Sequence, residues 1–120
     1  EHVPRIVSMT SERGRIRMLH SAAPVAARFF SPSLDRAGLL TLVESFKADA
    51  RVGRHEQAGW GNSNYGFSKL AVTAYTHIVA REEGEAMRVN ACHPGYCRTT
   101  MTSNLGVYSA EDGASGAVMC

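Results

Sequence analysis

The stretch Asn64-Tyr65-Gly66-Phe67-Ser68-Lys69 sets a tyrosine and a lysine four residues apart. On a helix that offset puts both side chains on one face. A free phenol titrates at about pH 10 and moves protons poorly at neutrality unless a fixed cation stabilises its phenolate. In an acid/base device of this kind Tyr65 would move the proton and Lys69 would tune it. The same spacing also suits a partly buried ring beside a solvated charge, so the pair alone decides nothing. Its weight depends on the elements that would position it.

Those elements read as an α/β unit. Arg5-Ile6-Val7-Ser8-Met9-Thr10 is short, rich in β-branched residues and not cleanly alternating, the pattern of a strand buried on both faces of a parallel sheet. Thr10-Ser11-Glu12-Arg13-Gly14 follows at its carboxyl end, where open α/β sheets bind ligands. Ser11 could point into such a site or cap a turn. The interval from Gly14 to Asn62 is too long for structureless loop in a compact domain. Leu39, Leu40, Val43, Phe46, Lys47 and Ala50 predict a helix within it, from about Asp35 to Arg51, with Ser33 or Asp35 as cap and Gly53 at its end. Gly53 to Asn64 is then a loop in which His55 serves as a hydrogen-bonding residue. A helix opens at Tyr65, with Phe67, Leu70, Ala71, Ala74, Tyr75, Ile78 and Val79 on its apolar side and Gly84 as C-cap. Met87 to Cys92 is a second strand, stopped by Pro94-Gly95, and Ser109-Ala110-Glu111-Asp112 opens a last helix with a capping box. Strand, helix, strand makes a βαβ unit with parallel strands. Ser11, the start of the Tyr65 helix and the loop after Pro94 therefore meet at one edge of one sheet. A hydroxyl, a tyrosine beside a lysine and a loop after a parallel strand are what proton-coupled hydride transfer to a carbonyl needs.

Composition narrows the alternatives. With 120 residues and 44% hydrophobic content the chain is in the single-domain range and can build a core. A net charge of +2, and a lone basic cluster, Arg13-Gly14-Arg15-Ile16-Arg17, without interleaved aromatics, argue against a nucleic-acid partner. No apolar run is long enough to span a membrane, and nothing resembles a signal peptide. Cys92, Cys97 and Cys120 are odd in number and lack a Cys-x-x-Cys pair, which suits reduced thiols in a cytoplasmic setting. Cys92, His93 and Cys97 fit zinc-ligand spacings poorly, so no metal site is expected. Both ends look cut, since the chain begins Glu1-His2-Val3 and stops at Cys120 inside an expected helix.

On these motifs the sequence resembles the short-chain dehydrogenase/reductase family, and within it the NADPH-dependent carbonyl reductases. The family's Ser-Ser-x-x-Gly pattern matches Thr10-Ser11-Glu12-Arg13-Gly14, its Tyr-x-x-x-Lys motif matches Tyr65 and Lys69, and its Asn-x-x-x-Pro-Gly-x-Val-x-Thr segment resembles Asn90 to Thr99. The long separation of Ser11 from Tyr65 resembles the carbonyl reductase branch, which carries a helical insert there, here at about residues 20–62. The resemblance implies a Rossmann-type doubly wound parallel sheet, of which residues 1–120 would form the C-terminal, catalytic portion. It implies that Ser11 polarises a substrate carbonyl, Tyr65 donates the proton, and Lys69 binds the nicotinamide ribose while stabilising the phenolate. Pro94, Gly95, Cys97 and Thr99 would shelve the nicotinamide of NADPH, with Trp60, Tyr96 and Met101 expected in the pocket wall around a small carbonyl substrate. The insert implies a monomer. No Gly-x-Gly-x-x-Gly phosphate turn is present, and Ser8 and Cys97 stand where Asn and Val are usual. The chain alone is therefore expected neither to bind cofactor tightly nor to turn over. An inactive fragment, acting as an interaction module or a degenerate product, is the alternative expectation.

Overall fold

The computed structural model describes residues 2–19 and 24–120, the side chain of Phe30 excepted. The first strand, β1, spans Arg5–Met9 and leads through two short 3-10 turns, Glu12–Gly14 and Ile16–Met18, toward helix α1 at Pro24–Phe30. Helix α2 follows at Arg36–Arg51, α3 at Asn64–Glu83, strand β2 at Arg88–Cys92 and helix α4 at Ala110–Met119. The two strands pair in parallel, with Arg5 opposite Arg88 and Met9 opposite Cys92, so α3 is the crossover of a βαβ unit. Residues 20–23, where the expected insert begins, lie outside the described residues.

Local signals explain where the helices start and stop. Asp35 caps α2 by accepting from the Gly38 N–H at 2.8 Å, and Ser63 caps α3 by accepting from the Gly66 N–H at 2.9 Å. Gly84 ends α3 at φ +56, a left-handed conformation that costs glycine little. Ser109 and Asp112 close the capping box of α4, each side chain accepting from the other's backbone N–H. The Ser109 bonds, and to a lesser degree Arg98, hold the Asp112 carboxyl below its ordinary range.

The core lies in the helical layer. Leu39, Leu42 and Phe46 of α2 and Phe67, Leu70 and Ile78 of α3 are buried together with Phe29, Trp60 and Leu19. Phe46 stacks on Phe67 with ring centroids 3.8 Å apart, and Trp60 meets Phe67 edge-on at 5.4 Å. The expected face of α2 holds at Leu39, Val43, Phe46 and Ala50, which lie in or against the core, but Leu40 is 61% exposed and the fully buried Leu42 takes its place. Tyr75 of α3 is likewise exposed, under the Arg36 guanidinium, and Thr76 is buried in its stead, its hydroxyl donating to the Val72 carbonyl. Helix α1 was not expected. It supplies Val25, Ala26 and Phe29 to the same core.

The strands differ from expectation. Neither carries a fully buried residue, and Ile6 and Met9 are 43% and 41% exposed. Helix α3 covers one side of the pair, and the side bearing Asn90 meets the end of α4, where the Asn90 amide donates to the Cys120 carbonyl at 2.9 Å. Among the described residues β1 has no second strand neighbour, so two-sided burial is not reached.

Candidate active site

Two glycines decide how close Ser11 comes to the start of α3. A Cβ placed on Gly14 would stand 2.5 Å from the Lys69 Cβ and 2.6 Å from the Lys69 carbonyl carbon, and one on Gly66 would stand 2.9 Å from the Arg13 oxygen. Backbone therefore lies directly on backbone, and the turn after β1 rests on the first turns of α3. Ser11 caps that turn, its Oγ accepting from the Arg13 N–H at 3.2 Å. It also lines a cavity of about 940 Å³ at the carboxyl ends of the strands. Ser11 thus caps the turn and lines the cavity at once.

The cavity gathers most of the expected site. Ser11 and Tyr65 line it from β1's end and α3, and Pro94, Gly95, Tyr96, Cys97, Thr99 and Met101 line it from the loop after β2. Tyr65 is 49% exposed, so its ring is open to a ligand. Lys69 stands behind it: its Nζ lies 6.0 Å from the Tyr65 ring centroid and donates to the Met9 carbonyl at 3.0 Å. That bond ties the lysine to the last residue of β1 and leaves two ammonium donors uncommitted to it.

The loop after β2 is held by its own main chain. Arg98 N–H donates to Tyr108 O at 2.8 Å and Val107 N–H to Tyr96 O at 2.8 Å, so the loop folds back on itself before α4 begins. The Thr102 hydroxyl donates to the Cys97 carbonyl at 2.6 Å. Gly106 and Gly113 permit the closeness, since a Cβ on either would fall within 2.3 Å of Cys97 atoms. Gly95 adopts φ +78 above the Tyr108 ring, where a side chain would be strained.

Trp60 is not brought to the cavity. It is 3% exposed, its ring filling the space between α2 and α3 and its Nε1 donating to Asp49 Oδ2 at 2.9 Å, so its expected place in the pocket wall gives way to one in the core. A large ring with one polar atom is buried most favourably where that atom finds an acceptor, and Asp49 provides it. His55 also departs from its expected role: its Nδ1 is buried with no hydrogen-bond partner among the described residues, and its ring stands edge-on to Phe46 at 6.3 Å. Residues not foreseen line the cavity too, notably Arg13, His93, Thr102 and Tyr108. His93 Nε2 approaches Glu12 Oε2 at 3.6 Å, and Glu12 in turn pairs with Arg15 and Arg17. The signal for His93 was its position directly after a parallel strand, the same argument that selected Pro94. Among the described residues no three His, Cys, Asp or Glu side chains come together as a metal-binding group.

Comparison with known proteins adds to this geometry. Residues 10–117 match the family model described as enoyl-(acyl carrier protein) reductase, of the short-chain alcohol dehydrogenase type. Carbonyl reductase (NADPH) 3 of Rattus norvegicus is 34% identical over 115 residues, covering 92% of this chain and 42% of the relative. Carbonyl reductase (NADPH) 1 of Homo sapiens is 34% identical over 116 residues with the same coverage. The chain thus spans 42% of the length of these curated relatives. The solved structure of salutaridine reductase from Papaver somniferum superposes with a TM-score of 0.89 at 26% identity, covering 99% of this chain and 41% of that one.

Proposed function

Because the chain belongs to the short-chain dehydrogenase/reductase family, we propose that it carries the catalytic half of an NADPH-dependent reductase acting on the carbonyl of a ketone, aldehyde or quinone. The observation that carries this reading is the convergence of Ser11, Tyr65 and the Pro94–Thr99 loop on one cavity at the carboxyl ends of parallel strands. Relatives named for carbonyl reduction with NADPH support it.

The residues present fit the nicotinamide end of such a cofactor. Behind the Tyr65 ring, Lys69 retains two ammonium donors beyond its bond to Met9, suited to ribose hydroxyls. The opposite wall is the loop main chain at Pro94, Gly95, Cys97 and Thr99, held rigid by the bonds to Tyr96, Tyr108 and Thr102. When bound, the cofactor supplies the hydride. The Ser11 hydroxyl donates a hydrogen bond to the carbonyl oxygen and so stabilises the charge that grows there. Tyr65 delivers its phenolic proton to that oxygen, and the Lys69 ammonium stabilises the phenolate left behind. Tyr96 and Met101, 52% and 86% exposed, form the open side of the cavity and contact the substrate. The reductase works as a cytoplasmic monomer. The packing of the insert supports the monomer: α2 covers α3, with Arg36 bound to Glu82 at 2.6 Å and Arg81 to the Leu34 carbonyl.

Carbonyl-dependent NADPH oxidation by the full-length protein tests the reading, with a loss of about 10²–10⁴-fold expected for Tyr65→Phe. Undiminished turnover in Tyr65→Phe would overturn it. A second reading concerns the 120 residues taken alone, which we infer neither hold the cofactor tightly nor turn over. The exposure of β1 and the 42% span of the relatives support this. NADPH binding to the isolated chain at micromolar concentration would refute it.

A further inference from the structure

Away from the cavity, Asn90 and Cys92 lie two residues apart on β2 and therefore point to the same side of the strand. Gly116 and Cys120 lie four apart at the end of α4, where the Cys120 N–H donates to the Gly116 carbonyl at 3.2 Å, and therefore share a helix face. These two sides meet. The Asn90 amide donates to the Cys120 carbonyl at 2.9 Å, and a Cβ placed on Gly116 would stand 3.1 Å from the Cys92 sulfur. The small Gly116 lets the strand thiol lie against the last turn of α4, on the face that carries the Cys120 thiol. All three cysteines are free; Cys92 and Cys120 are half-buried, with the Cys92 Sγ directed to the His93 carbonyl at 3.8 Å, whereas Cys97 is buried and directs its Sγ to the Pro94 carbonyl at 3.2 Å.

We propose that Cys92 and Cys120 are an oxidisable pair, reduced at rest and joined by a reversible disulfide that staples α4 to β2. In the first step a thiolate attacks the O–O bond of a hydroperoxide, giving a sulfenic acid and releasing alcohol, or water when the oxidant is hydrogen peroxide. The second thiolate then attacks that sulfur and expels hydroxide, which leaves as water. Two S–H bonds are lost, one S–S bond forms, and the hydroperoxide takes up the two electrons. Burial and the neighbouring Cys120 thiol push the Cys92 thiol up, which disfavours its thiolate, so Cys120 makes the first attack and Cys92, held against the same turn, makes the second, intramolecular one. The staple would lie beneath the loop that lines the cavity, since Gly113 of α4 packs against Cys97 and Pro94.

The test treats the reduced full chain with hydrogen peroxide, blocks remaining thiols by alkylation and maps peptides by mass without reduction. The expected product is a Cys92–Cys120 linked peptide that dithiothreitol reverses and that disappears in both Cys92→Ser and Cys120→Ser, each checked for an unchanged thermal transition. Hydrogen exchange at the C-terminal turn of α4 should slow at least severalfold on oxidation and recover on reduction. Cys92 and Cys120 found separately as sulfinic acids, or a link that involves Cys97 instead, would overturn the proposal. So would a linked peptide in wild type that survives in Cys120→Ser.

Discussion

Phe67 and Ile6 belong to the same βαβ unit, yet one is 3% exposed and the other 43%. Phe67 sits between the rings of Phe46, Trp60 and Phe29, in a helical layer whose buried members run from Leu19 to Ile78. Ile6 lies on a two-stranded sheet covered by α3 on one side and by little more than the end of α4 on the other. The contrast shows which part of the molecule carries the packing. Tyr65 and Lys69 grow from the well-packed region, at the head of α3, while Ser11 and the Pro94 loop hang from the sparsely packed one, and the turn carrying Ser11 lies close to α3 only because Gly14 and Gly66 allow backbone contact.

Breaking the packed side should have the largest effect. Phe67→Ala removes a ring at the centre of three aromatic contacts and should cost ~3–5 kcal/mol in denaturant unfolding; a loss below 1 kcal/mol would mean the aromatic layer does not hold the molecule. Gly14→Ala forces a methyl group onto Lys69 backbone and should cost ~1–3 kcal/mol. Its sharper readout is local: the turn carrying Ser11 must lift from α3, so hydrogen exchange at residues 11–15 should rise more than in α2. Ser109→Ala removes the cap of α4 and should cost ~1 kcal/mol.

The same cap has a pH signature. The Asp112 carboxyl is held below its ordinary value by the Ser109 bonds, so its stabilisation is complete above the unfolded-state value and fades as pH falls through the lower, folded-state one. Protection of α4 amides should therefore decline only in acid, and Asp112→Asn should flatten that decline. The smallest effect is expected on the sheet's open side. Ile6→Thr keeps the β-branch at an exposed position and should shift stability by within ~0.5 kcal/mol; a large loss there would show that β1 is covered in the working protein.

Much of the candidate site's geometry was legible in the chain because its rules are local. Asp35 and Ser109 announced their helices through a side-chain oxygen and the N–H groups just beyond it, and Gly84 ended α3 through its own backbone freedom. Tyr65 and Lys69 shared a face by helical period, and a parallel strand followed by Pro-Gly placed the loop at the sheet's carboxyl edge. What period and caps do not contain is the partner across space. Trp60 sits in a glycine-rich loop that reads as surface, and only Phe46, Phe67 and Asp49 on other elements draw it into the core. Leu42 rather than Leu40 is buried because the inward stripe of α2 runs through Leu39, Leu42, Val43 and Phe46, and the contact with α3 leaves Leu40 beside it. The exposure of β1 depends on neighbours, and the meeting of Cys92 with the Gly116–Cys120 turn depends on where α4 lands. The sequence by itself determined the elements, their caps and the order of the chemical groups, since these follow from contacts within a few residues. Only the tertiary structure decided which rings fill the core, which strand faces stay open and which thiols adjoin, since burial is shared among residues far apart in the chain.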